Sequence, residues 1–182
     1  DFGLIGSGVG TVNKIDVNIV TVEDPVEANI DGINQVQVNV KADLTFANAL
    51  RSILRQDPDI IMIGEIRDGE TASIAVQASI TGHLVVSTLH TNSAAGSINR
   101  LVNMGVEGYL LADSLVGIIA QRLVRRLCPY CKRAHVLTEF EKKMMKIRPD
   151  ANLEIFEPVG CDHCDKTGYS GRIGIYEIMK IT

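Results

Sequence analysis

The sequence has no tryptophan, and aromatic residues make up only 4% of its 182 residues. No run reaches the roughly 18 apolar residues that a membrane-spanning helix needs, so no direct membrane insertion is expected. The first residues, Asp1-Phe2-Gly3, carry no basic stretch followed by an apolar one. They do not read as a signal peptide and are expected to be the cut end of something longer. Cysteine is absent until Cys128 and then appears four times. A disulfide scaffold would spread its cysteines through a smaller chain, so a reducing, cytoplasmic setting is expected. Neither charge sign dominates. Eighteen basic residues against 22 acidic ones give a net charge of −4, which argues against a nucleic-acid partner held through phosphates. No internal repeat and no low-complexity tract is present. What is present is a 46% hydrophobic fraction with 22% charged residues. That balance excludes a dominantly disordered chain and suits one domain with a small appendage.

Short apolar runs alternate with helical patterns. Asn18 to Val22 is a β-branched run that reads as a buried strand and ends at Glu23-Asp24-Pro25. Residues 31–41 alternate Ile33, Val36, Val38 and Val40 with polar residues, as an exposed strand or hairpin would. Phe46, Ala49, Leu50, Ile53 and Leu54 recur at helical spacing within 44–56, and Asp57-Pro58 closes that helix. Residues 59–66 (DIIMIGEI) form a near-continuous apolar run typical of a central parallel strand. A helix over 69–80, a strand over 84–89 and helices over 93–104 and 109–127 complete the pattern. Strands alternating with helices predict an α/β fold with a parallel sheet and crossover connections. Beyond Leu127 the texture changes to cysteine, proline and glycine, with a polar helix over 138–147 and a closing strand over 172–179. The expected division is therefore 1–127, 128–168 and 169–182.

Three strand ends carry polar chemistry. The 59–66 run delivers Glu65 at its C-terminal end, where ligands sit in open α/β sheets. A carboxylate there can hold Mg²⁺ through water or orient an attacking water; taken alone, a surface acid after a core strand is the plain alternative. The first strand ends in Glu23 and Asp24, and the third in His90-Thr91-Asn92. The glycines of Gly3 to Thr11 follow part of the phosphate-loop pattern G-x-x-x-x-G-K-[ST]. Gly3 and Gly8 fit its spacing, but Val9 and Gly10 stand where it has lysine and a hydroxyl residue. A merely flexible or rebuilt end explains these glycines equally well. Cys128-x-x-Cys131 and Cys161-x-x-Cys164 supply four thiolates, a tetrahedral set that suits structural Zn²⁺ and leaves no open position for catalysis. A redox pair or unliganded thiols are the alternatives, and His163 could compete as a ligand. Arg122, Arg125, Arg126, Lys132 and Arg133 read as a solvated helix end.

These residues together resemble the secretion ATPases of type II secretion and type IV pilus assembly, in the zinc-bearing branch. The resemblance rests on residues 21–27 (TVEDPVE), 50–59 (LRSILRQDPD), 61–68 (IMIGEIRD), 81–84 (TGHL), 87–92 (STLHTN) and 168–177 (GYSGRIGIYE), with both CxxC pairs. It implies a RecA-like P-loop ATPase core with a zinc-binding subdomain, using ATP with Mg²⁺ and a structural Zn²⁺. It implies a homo-hexameric ring, peripheral on the cytoplasmic face of the inner membrane, that drives pilin or pseudopilin assembly through a membrane platform protein. Glu23, Asp24 and Glu27 would form an acidic box near the metal and the attacking water. Glu65 would be the Walker B glutamate that orients that water. His83 and His90 would bracket a histidine box, with His90 sensing the γ-phosphate. Gly3, Gly6, Ser7, Gly8, Gly10 and Thr11 would cradle phosphate, and Cys128, Cys131, Cys161 and Cys164 would hold zinc.

The departures from the family pattern fall in one place. Val9 and Gly10 replace the lysine and the hydroxyl residue, and too few residues separate Val9 from Asn18 for the helix that normally follows. The amino-terminal domain that the resemblance implies has no counterpart expected within these 182 residues. The expectation is a fragment of a motor ATPase that does not hydrolyse ATP unaided. The alternative is a non-catalytic zinc-containing interaction module derived from such an ATPase. A zinc-ribbon nucleic-acid binder is a third reading, opposed by the net charge.

Overall fold

The computed structural model describes residues 11–14, 16–151 and 153–181. They divide into two compact units, one reaching to Ala120 and including the residues from Glu177 onward, the other running from Gln121 to Tyr176.

The first unit is built on a four-stranded parallel sheet. Its strands are β1 (Ile19–Glu23), β2 (Asn34–Gln37), β3 (Ile60–Ile63) and β4 (Leu84–Ser87), in the order β2-β1-β3-β4. β1 (IVTVE) and β3 (IIMI) are the inner strands and are buried at every position. That burial on both faces is why their sequences lack the alternation of a half-exposed strand. Val22 lies beside Ile63, and Ile63 beside Ser87. This register brings Glu23, Gly64 and Thr88, the next residue of each strand or its continuation, to one edge of the sheet.

The helices α1 (Phe46–Ile53), α2 (Gly69–Ile80), α3 (Ala94–Asn103) and α4 (Gly108–Ser114) accompany the sheet. Thr45, Asp68 and Ser93 cap the first three, each accepting a backbone N–H from three residues ahead. Ala47, Leu50 and Ile53 of α1 recur at helical spacing and are buried. Val22, Leu50, Ile61, Ile63, Ala72 and Leu101 belong to one continuous core. Burying a side chain such as Leu50 contributes about 2 kcal/mol. Ile19, Ile60 and Met62, which alternate with those strand residues, form a second and smaller cluster with Val17 and Ile33.

The helix expected over 109–127 is not what forms. α4 stops at Ser114, Leu115 is extended, and β5 (Gly117–Leu127) follows as a strand. β5 pairs with β8 (Tyr169–Lys180) in a two-stranded sheet. Ile118, Ile119, Leu123 and Val124 suit either period, and pairing with a distant strand decides between them. Arg122, Arg125 and Arg126 therefore sit on a strand rather than at a helix end, and Arg125 lies 3.9 Å over the Tyr169 ring.

In the second unit, β6 (Arg133–His135) and β7 (Ile155–Glu157) pair antiparallel. Between them lies α5 (Glu139–Met144), started by a capping box in which Thr138 and Glu141 satisfy each other's backbone N–H.

Candidate functional site

Glu23 closes β1 and is almost completely buried, at 1% exposure. Thr21 Oγ1 and Gln35 Nε2 donate to its Oε1, at 2.5 Å and 3.0 Å. Its Oε2 is buried with no hydrogen-bond partner among the described residues. A buried carboxylate oxygen without a donor is costly, and a cation is the chemistry that would satisfy it. Asp24 and Glu27 lie beyond the strand end and are exposed.

Glu65 is placed by its backbone. The Gly64 N–H donates to the Val22 carbonyl at 2.8 Å, and Thr88 Oγ1 donates to the Gly64 carbonyl at 2.6 Å. A Cβ on Gly64 would stand 3.3 Å from the Val22 carbonyl oxygen, so the close approach of the two strand ends favours glycine. The Ile66 N–H donates to the Thr88 carbonyl at 3.1 Å. Glu65 is thus pinned between the ends of β1 and β4.

Its side chain is 15% exposed and meets two partners, Arg67 and His90. Arg67 Nη2 pairs with Oε1, and His90 Nε2 lies 3.4 Å from Oε2. Arg67 Nη1 also reaches Asp24 Oδ2 at 3.7 Å. The Arg67 hydrogen bond holds the Glu65 carboxyl below the usual carboxylate range. Partial burial opposes it, and the charge of Arg67 and contact with His90 reinforce it. Glu65 is therefore a carboxylate at neutral pH. The structure brings Glu65 and Asp24 together through Arg67, a residue given no role in the sequence analysis, and sets His90 directly against Glu65. The position of Arg67 two residues past the strand-end carboxylate is the signal that could have found it.

His83 is not brought to this group. It precedes β4, and its Nδ1 lies 3.0 Å from the Ala78 carbonyl. The strands are parallel, so His83 stands at the end of β4 opposite to Thr88 and His90, about 16 Å of strand away from Thr88. Gly3, Gly6, Ser7, Gly8, Val9 and Gly10 lie outside the described residues, and Thr11 is exposed.

The four cysteines form a separate centre. Their sulfurs all lie within 4.8 Å of one another, and none is in a disulfide. Cys128 and Cys161 are 3.9 Å apart, Cys131 and Cys164 3.8 Å, and Cys161 and Cys164 3.8 Å. A tetrahedron of sulfurs about 2.3 Å from a central zinc has edges of about 3.8 Å. The donor set and its spacing fit a structural Zn²⁺. The Gly160 N–H donates to the Cys131 sulfur, and the Cys161 and Gly168 N–H groups to that of Cys164. At Cys164 burial pushes the thiol up, but the two amides together with the neighbouring Cys131 and Cys161 sulfurs bring it down to about 6, towards the thiolate a metal needs. His163 is no ligand in this arrangement. Its ring stacks on Tyr130 with centroids 4.4 Å apart.

A sequence model of the family described as "Type II/IV secretion system protein" matches residues 4–182. Over 187 residues, 98% of this chain and 37% of its relative, the sequence is 53% identical to a type II secretion system protein E of Aeromonas hydrophila. Over 180 residues, 97% of this chain and 31% of its relative, it is 57% identical to the type IV pilus assembly ATPase PilB of Acinetobacter baylyi (strain ATCC 33305 / BD413 / ADP1). The chain spans about a third of the length of the curated relatives it matches. Among solved structures it is similar to the pilus retraction motor PilT with bound ADP, at a TM-score of 0.66 and 30% identity over 98% of this chain and 43% of that one. The parallel-sheet architecture is accordingly RecA-like, as expected from the sequence.

Proposed function

This chain belongs to the type II/IV secretion system protein family, and from that premise we propose that it carries the ATPase core and zinc module of a motor coupling ATP hydrolysis to protein secretion or pilus assembly. The observation that carries this reading is Glu65, a largely buried carboxylate on the end of the central strand, flanked by His90 and the acid Asp24.

In this reading Glu65 orients the attacking water, and its lowered pKa keeps it ionised to do so. Glu23 offers its unpartnered buried oxygen, and Asp24 and Glu27 add negative charge at the same strand end. These are the residues that would face Mg²⁺, which supplies charge neutralisation at the phosphates when bound with ATP. His90 is exposed and stands beside Glu65, a position from which it can hydrogen-bond the terminal phosphate. The geometry lends no support to a nucleotide contact by His83. Gly3, Gly6, Ser7, Gly8, Gly10 and Thr11 would contribute backbone N–H groups to the phosphates. Cys128, Cys131, Cys161 and Cys164 would hold a structural Zn²⁺ in a subdomain spanning 128–168, between a core of 1–127 and a returning strand of 169–182. The working assembly is a homo-hexameric ring, cytoplasmic and peripheral at the inner membrane, engaging a platform protein and no nucleic acid.

Val9 and Gly10 set the level of activity expected of this chain. Loss of a charged donor at the phosphates removes on the order of 3 kcal/mol of transition-state stabilisation, a hundredfold or more in rate. Phosphate release from ATP and Mg²⁺ tests this. The unaltered chain should turn over at a trace rate, the double substitution Val9→Lys with Gly10→Thr should raise it, and adding Glu65→Gln should abolish the gain. Brisk Mg²⁺-dependent hydrolysis by the unaltered chain would overturn this assignment of the loop. Absence of any nucleotide binding would instead favour the interaction module without catalysis.

A further inference from the structure

Both oxygens of Glu65 are engaged by neighbours, Oε1 by Arg67 and Oε2 by His90. A carboxylate with a partner on each oxygen has fewer sites left for a water, and at Oε1 the guanidinium occupies a position a water proton would take. The two partners of the Arg67–Glu65 pair differ in freedom. The Glu65 side chain is 15% exposed and that of Arg67 is 59% exposed. The backbone on either side of Arg67 is fixed: the Ile66 N–H bonds to Thr88, and the Asp68 side chain caps α2 through the Thr71 N–H at 2.8 Å. Only the long side chain of Arg67 is left to move, and its second anchor, Asp24 at 3.7 Å, is itself exposed.

We propose that Arg67 is a latch on Glu65 that opens on the terminal phosphate of a nucleoside triphosphate. This rests on the nucleotide reading above and names a residue and a trigger within it. With Arg67 against Glu65 and Asp24, the guanidinium covers Oε1 and competes with a positioned water for it. A terminal phosphate offers three oxygens and more negative charge than either carboxylate, and the planar guanidinium matches it bidentately. The Asp24 pair is exposed on both sides and weakly held, so leaving it gives up little, and the greater charge of the phosphate offsets the loss of the Glu65 pair. Moving Arg67 leaves one oxygen of Glu65 free to accept a hydrogen bond from water, in the same event that brings the phosphate to be attacked. A diphosphate lacks the terminal group and leaves the latch closed. Arg67 thereby ties the activation of Glu65 to the presence of the group to be transferred.

The test is calorimetric titration of ATP and of ADP, each with Mg²⁺, into the zinc-loaded chain and its Arg67→Gln and Arg67→Lys variants. The expected result is a loss of at least fivefold in ATP affinity for Arg67→Gln, with ADP affinity changed less than twofold. Arg67→Lys, which keeps the charge, should recover part of the ATP preference. A residue that merely supported the loop would weaken both nucleotides alike. Equal losses for ATP and ADP, or unchanged affinity for both, would overturn the latch and leave the nucleotide site standing. Failure of the unaltered, folded chain to bind ATP would overturn the nucleotide reading and the latch with it.

Discussion

Glu65 owes its state to what surrounds it at the level of single atoms. Burial alone would favour the neutral acid, and Arg67 and His90 reverse that preference. Gly64 makes the placement possible, since any Cβ there meets the Val22 carbonyl at 3.3 Å. Gly64→Ala should cost about 1–3 kcal/mol, as overpacking does in well-filled sites; a chemical denaturation midpoint measures it, and an unchanged midpoint would contradict the packing. Leu50→Ala, which empties a fully buried position of the core, should cost about 2–5 kcal/mol by the same measurement. At this scale the sequence was most legible where chemistry is fixed by spacing. The two CxxC pairs announced a tetrahedral sulfur centre, and the sulfur separations agree with one. Glu65 was legible because an apolar run ends on it. Arg67 was not, because its place two residues past that carboxylate is a weak cue until the fold shows which acids it faces. The placement of His83 was misleading because a histidine just before a strand and one just after it look alike in sequence and lie at opposite ends of that strand.

The elements differ in how local their causes are. β1 and β3 are short, fully buried runs rich in Ile and Val, and α1 to α3 each carry a cap residue, so their existence follows from short stretches of sequence. Thr45→Ala, which removes the acceptor for the Asn48 N–H, should destabilise the first unit by about 1 kcal/mol. β5 is the counterexample. Its residues tolerate either period, and the strand exists because β8, more than forty residues later, pairs with it. α5 depends on one charge. Hydrogen bonds from the Thr138 N–H and hydroxyl, with His135 adding, lower the Glu141 carboxyl from its ordinary 4.5 to about 2. The folded pKa lies below the unfolded one, so this cap contributes in full above about pH 4.5 and is lost as pH falls through about 2. Amide exchange over 139–146 should therefore accelerate across that window and not between pH 5 and 7. In Glu141→Gln the acid-induced change should disappear; its persistence would place the cause elsewhere.

The whole molecule divides between a sheet that gathers carboxylates at one edge and a unit organised by four thiolates. The second unit has short strands, a one-and-a-half-turn helix and few buried apolar residues, so metal binding should supply much of its folding energy. Removing the metal with a chelator should abolish amide protection from Cys128 to Gly168 while β1 and β3 stay protected. Uniform protection before and after would mean that the thiols are structural without a metal. If the strand ends at Glu23, Glu65 and His90 form a nucleotide crevice, isothermal titration with ATP and Mg²⁺, on a sample whose zinc content is measured at the same time, should show binding in the micromolar range with one zinc per chain. A folded, zinc-loaded chain that binds no ATP would contradict the nucleotide reading and leave an interaction module in its place.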